Sequence, residues 1–232
     1  MKTININGEI IPNDYAWYYD WYEREYTCPA NIKDILGTLE DGEDITITIN
    51  SGGGDVVGAQ EMYSMLKKAS SQGHKVIVEV QSIAASAASL IAVAGDVVRM
   101  SPSSELMIHN CSTYAEGDYH VMLHTADFLQ AIDETIMAAY SEKTGIPYDK
   151  LREMMDGETW LPSNKCLEHG FADEIIRDKN PGLITNAMLG CLSITPDMMA
   201  KAEAEKAAKA AKDAAAEAEK AAIINDLDMY GV

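Results

Sequence analysis

The chain has 232 residues, 47% of them hydrophobic, and a formal net charge of −19. The length suits one large domain or one domain with an appendage, and the charge argues against DNA or RNA as the main partner, because phosphate binding needs clustered lysine and arginine. No apolar run is long enough to span a bilayer, and Cys28, Cys111, Cys166 and Cys191 form no CxxC pair that would suggest a zinc site or a disulfide framework.

Residues 1–12 alternate like a strand and end at Pro12. They lack the long apolar core of a signal peptide, which points to the cytoplasm. Residues 13–27 are crowded with tyrosine and tryptophan, as in Trp17-Tyr-Tyr-Asp-Trp21. Aromatics are enriched at interfaces, so this stretch reads as a packed loop or subunit contact, with a substrate platform as the other reading. Cys28 to Gly37 fits a short helix with Ile32, Ile35 and Leu36 on one face. Asp44 to Asn50 alternates strictly and is rich in β-branched residues, which predicts a strand. It runs into Ser51-Gly52-Gly53-Gly54-Asp55, and a helix follows over about 56–69 with Val57, Met62, Met65 and Leu66 inward.

Residues 75–81 read as a buried strand, and small apolar residues continue at helical length to Asp96, with Ser86 at the join. Short strands are expected at 96–100 and 105–109. The alternation of strands and helices implies βαβ units and a mostly parallel sheet. Asn110 to Gly117 is polar and suits an extended arm. A long helical pattern from about Asp118 to Thr144 carries Met122, Phe128, Leu129, Ile132, Ile136 and Tyr140, and Gly145 ends it. Short helices at 148–155 and 161–170 precede a last strand at 171–176. The domain is expected to close near residue 180. Residues 181–232 read as a linker and a tail whose Ala/Lys/Glu stretch, 200–222, favours an exposed helix without a core.

Three features carry chemistry. The glycine run at the end of a strand lets backbone N–H groups face a cavity. Ser86, where a strand turns into a helix, suits a nucleophile beside free helix N-terminal amides, although the stretch alone also fits a buried helix of small residues. His109 ends the strand Leu106-Met-Ile-His, where active sites of open α/β sheets form. A serine hydroxyl needs such a base, and the base in turn needs a carboxylate, for which Asp156 and Glu158 are both candidates.

Asn50-Ser-Gly-Gly-Gly-Asp-Val, Ser82 to Gly95, Met107-Ile-His-Asn110 and Trp160-Leu-Pro-Ser with Glu168-His-Gly-Phe-Ala-Asp173 appear in that order. They resemble the motifs of the ClpP family of serine peptidases, and more closely those of the ClpP-like head maturation proteases of phages and prophages, over about residues 1–178. The resemblance implies an α/β ClpP/crotonase-like spiral of ββα units with an extended handle helix. It implies Ser86 as nucleophile and His109 as base, and an oxyanion hole from backbone amides among Gly53, Gly54, Asp55 and Ala87. Aligning Trp160-Leu161 with the family's aromatic–leucine pair puts the third triad member at Glu158, with Asp156 as runner-up. It further implies a homo-oligomer, a heptameric ring or stacked rings, that cleaves capsid and scaffold proteins within the immature phage head. No metal or other cofactor is called for. ATPase dependence does not carry over, since the sequence gives no clear sign of the outer hydrophobic docking surface. Two alternatives stand beside this reading: a catalytically silent ring-forming scaffold component, and a crotonase-fold enzyme acting on acyl-CoA.

Overall fold

The computed structural model describes residues 1–176 and Lys212, so the tail expected over 181–232 otherwise lies outside the described residues. The strands are β1 (Lys2–Ile10), β2 (Tyr26–Thr27), β3 (Ile45–Gly54), β4 (Val76–Ala85), β5 (Val97–Met100), β6 (Glu105–Ile108), β7 (Thr159–Pro162) and β8 (Glu174–Ile175). The helices are α1 (Ala16–Trp21), α2 (Pro29–Leu36), α3 (Val56–Ser71), α4 (Ala87–Ala92), α5 (Tyr119–Thr144), α6 (Tyr148–Asp156) and α7 (Ser163–His169). Among the described residues no helix is long and apolar enough to cross a membrane.

The strand order β2-β1-β3-β4-β5-β8 is parallel throughout, as the alternation of strands and helices predicts. Central strands of such a sheet are covered on both faces and are correspondingly apolar. Ile45, Ile47 and Ile49 of β3 and Val76, Val78 and Val80 of β4 are all fully buried. Each side chain of this kind contributes roughly 1.5–3 kcal/mol by leaving water. Strand β4 then does something its apolar run does not announce. Beyond Val80, where β5 stops pairing, it continues to Ala85 and pairs with β6 through Ile83, Ala84 and Ala85. Pairing with β6 thus carries the strand expected over 75–81 on to Ala85, and the helix expected after Ser86 is the six residues of α4. Strand β6 pairs in turn with β7, antiparallel, and the last two residues of β7 overlap the helix expected over 161–170.

Some inward assignments change. Met62 and Leu66 of α3 are buried, but Val57 is 63% exposed. Helix α5 divides along its length: Ile136, Met137 and Tyr140 are buried, whereas Val121, Met122, Leu123 and Phe128 in its first half are exposed. The aromatic stretch forms a short helix, α1, with Trp17 and Trp21 open to solvent. Asn110 to Gly117 runs without strand pairing.

The glycine run lies inside β3 rather than after it. Gly54 has φ 142°, and a Cβ there would overlap the main-chain carbonyl of Ile10 on β1. Backbone cannot swing aside as a side chain can, so Gly54→Ala is expected to lower folding stability by roughly 2–4 kcal/mol. The measurement is the denaturant midpoint, and an unchanged midpoint would show that β1 and β3 can separate at that point without cost.

Candidate active site

Ser86 stands between β4 and α4 with φ 54° and ψ −124°, a conformation that residues with side chains rarely adopt. The turn is held from several sides. The Ser86 amide donates to the Met107 carbonyl at 2.9 Å, tying the turn to β6. The buried Ser89 hydroxyl donates to the Ser86 carbonyl at 2.6 Å and lies 2.7 Å from the Tyr140 hydroxyl of α5. Ser89 thus has a supporting task that its position beside Ser86 in the sequence does not disclose. Burial pushes the Tyr140 hydroxyl pKa well above its ordinary value, so Tyr140 stays protonated and able to donate.

The strained turn lifts the Ser86 side chain toward the end of β6. Its Oγ lies 2.7 Å from His109 Nε2, hydrogen-bond distance between a nucleophile and a base. Among the described residues, His109 Nδ1 makes no hydrogen bond. Both candidate acids are near the base in the chain's layout but are held by other groups. Asp156 Oδ1 accepts from Asn110 Nδ2 at 2.7 Å, and Glu158 Oε1 accepts from Trp160 Nε1 at 3.2 Å. The β6–β7 register distinguishes them. Ile108 faces Thr159 and Met107 faces Trp160, and the pairing ends there, with His109 and Glu158 the next residues on the two chains. The chain turns into β7 at Glu158, which has φ 45°.

The four residues expected to supply oxyanion donors differ in what their amides already do. The Gly53 amide donates to Ser51 Oγ at 3.1 Å, and the Asp55 amide donates to the Ile10 carbonyl at 2.8 Å. The Asp55 carboxylate caps α3 by accepting from the Gly58 amide at 2.6 Å. Gly54 and Ala87 instead line a cavity of about 150 Å³ together with Ser86, His109, Leu90 and Ile136. Ala87 is the first residue of α4, where helix N–H groups have no intrahelical partner. Gly53 works by having no side chain. A Cβ there would come within 2.8 Å of Ser86 Cβ and 3.0 Å of the Ala87 nitrogen.

Cys111 borders the same cavity but is not a rival nucleophile. Burial, and then its hydrogen bond to the Asp133 carboxylate, push the thiol up to about 12, so it carries almost no thiolate near neutrality. Asn110 and Ser89 lie within motifs visible in the sequence, but nothing there discloses these tasks, and Asp133 belongs to no motif at all. Tyr140 was signalled, as an inward residue of the long helical pattern.

Comparison with known proteins places the chain's sequence and fold in a family. Residues 31–179 match the family model described as Clp protease, well over half of the chain. An ATP-dependent Clp protease proteolytic subunit of Bacteroides fragilis is 30% identical over 146 residues, covering 62% of this chain and 69% of that protein. An ATP-dependent Clp protease proteolytic subunit 2 from Thermobifida fusca is 28% identical over 145 residues, covering 61% of this chain and 70% of that one. Among solved structures, a ClpP1 mutant from Listeria monocytogenes superposes with a TM-score of 0.61 at 24% identity, over 76% of this chain and 92% of that one, which shows the shared fold. By fold and by sequence, the chain belongs to the Clp protease family of serine peptidases.

Proposed function

We propose that the chain hydrolyses peptide bonds through an acyl-enzyme formed on Ser86. The observation that carries this is the 2.7 Å separation of Ser86 Oγ and His109 Nε2 at a strained strand-to-helix turn. With the ring proton on Nδ1, Nε2 accepts the hydroxyl proton as Oγ attacks the substrate carbonyl. The Gly54 and Ala87 amides, which border the cavity, stabilise the oxyanion. His109 then returns the proton to the leaving amine, and water repeats the cycle to release the acid. Glu158 is the carboxylate that orients the imidazole. The register supports it over Asp156, whose carboxylate is engaged by Asn110. An extended substrate would lie along residues 52–56 by β-augmentation, because β4 pairs with β3 only as far as Ser51 and leaves that edge of the glycine run unpaired.

The chain acts as a homo-oligomer, a heptameric ring or a pair of stacked rings. Two exposed apolar surfaces support this: Trp17 and Trp21 on α1, and Leu123 and Phe128 on the first half of α5. The substrates in this reading are capsid and scaffold proteins of an immature phage head, assembled in the host cytoplasm. That part rests on the order and content of the four motifs. Close placement of a hydroxyl and an imidazole argues against acyl-CoA chemistry by acidic residues alone.

The test is a fluorophosphonate probe followed by peptide mapping. Attack forms an Oγ–P bond and expels fluoride, with the hydroxyl proton passing to His109. A single adduct on the peptide carrying Ser86 is expected. An adduct on Ser82 or Ser89 instead, or none, would remove Ser86 as the nucleophile.

A further inference from the structure

His109 lies just past β6, and the chain beyond it is poorly anchored by its own backbone. Among the described residues, the main chain from Asn110 to Gly117 makes no main-chain hydrogen bond. Two carboxylates from the helical layer stand in for the missing ladder. Asp156, at the end of α6, accepts from the Asn110 side chain at 2.7 Å. Asp133, in the middle of α5, accepts from the Cys111 amide at 2.8 Å. The second tether is the stronger argument. Asp133 is 7% exposed, and a carboxylate taken out of water is retained only where it is hydrogen-bonded. One turn further along the same helix, Ile136 and then Tyr140 border the cavity that holds Ser86.

We propose that Asp133 is a positioning residue for catalysis: through the Cys111 amide it fixes the segment that carries His109 to helix α5, with Asp156 as a second, more exposed tether through Asn110. This rests on the reading of Ser86 and His109 as nucleophile and base. The main chain carrying His109 is held before it by β6 and after it, at Cys111, by Asp133, so the 2.7 Å approach to Ser86 depends on a helix that contributes no reacting group. A base displaced by about 1 Å can cost about 100-fold in rate.

The test uses the full chain, the fluorophosphonate probe and two substitutions. In Asp133→Ala the maximal rate of Ser86 labelling is expected to fall about 10- to 100-fold, while the half-saturating probe concentration moves by less than about threefold. Asp133→Asn keeps an oxygen acceptor for the Cys111 amide and is expected to restore most of that rate. Amide hydrogen exchange at Cys111 reads the tether without any chemistry. It should quicken by at least about tenfold in Asp133→Ala and stay slow in wild type and Asp133→Asn. Wild-type labelling in Asp133→Ala, or labelling in Asp133→Asn as slow as in the alanine variant, would overturn the proposal. If the wild-type chain itself does not label, the nucleophile reading fails. Equal Cys111 exchange in all three proteins would then overturn the tether separately.

Discussion

Replacing Ser86 by alanine is expected to lower peptide hydrolysis by about 10⁶-fold in kcat, leaving at most the background supplied by binding and oxyanion stabilisation. The size of the effect follows from the neighbourhood. Neither Cys111, which borders the cavity, nor Ser89, which supports the turn, is equipped to take over. The Cys111 thiol is pushed up to about 12 and stays protonated, and the Ser89 hydroxyl is committed to the Ser86 carbonyl and the Tyr140 hydroxyl. The substitution removes one hydroxyl and keeps the φ 54° turn, which is held by the Ser86 amide and carbonyl rather than by Oγ. Folding and assembly should therefore be unchanged, as read by thermal melting and by sedimentation. Adding His109→Ala to the same chain should cost little more, because a nucleophile and its base act as one unit. Hydrolysis that persists in Ser86→Ala at the wild-type rate would place the chemistry elsewhere. A wild-type chain that assembles but cleaves no peptide would favour the silent scaffold.

What the sequence discloses and what it conceals divide along a physical line. The alternation of Ile45 to Ile49, the apolar run of β4 and the glycines before Asp55 are local signals, and the structure follows them. Ser86 and His109 stand 23 residues apart in the chain, and their pairing was legible because each sits at the end of a strand that feeds the same edge of the sheet. The features that were not legible are pairings. Residues 82–85 have no strand signature of their own, and pairing with β6 on one side and with Ser51 of β3 on the other makes them a strand. Strand β7 is four residues with Pro162 at its end, and it exists through its partner β6. The roles of Ser89 and Asp133 depend on α5 packing across α4 and the His109 segment, which no spacing in the sequence encodes. The first half of α5 shows the converse. Its apolar residues have the helical spacing of a core, yet they face solvent in the single chain, as expected if the surface they cover belongs to another copy.

Glu158→Gln is expected to reduce kcat by about 10³- to 10⁴-fold with little change in KM, because an amide in place of the carboxylate cannot hold the imidazole in the tautomer that leaves Nε2 free to accept the serine proton. The argument for this residue is geometric. Residues facing each other across an antiparallel pair have Cβ atoms about 4.5–5.5 Å apart, and Glu158 and His109 directly adjoin the last such pair of β6 and β7, Ile108 with Thr159. The φ of 45° at Glu158 is a strained value at the turn where the chain enters β7, and strain of this kind persists where the surrounding structure imposes it. Trp160 Nε1 occupies Oε1 alone, which leaves Oε2 to accept from His109 Nδ1 once a substrate fills the site. Such tightening between the free and the bound enzyme is common in catalytic hydrogen bonds. Asp156 is the internal comparison. Its carboxylate serves Asn110, and Asp156→Asn keeps an oxygen acceptor for that bond, so a loss of only a few-fold is expected. Steady-state kinetics on the two variants separate the roles. A collapse of kcat in Asp156→Asn with Glu158→Gln nearly intact would move the acid to Asp156, and two small losses would mean that His109 works with Ser86 as a dyad, oriented by its tethers.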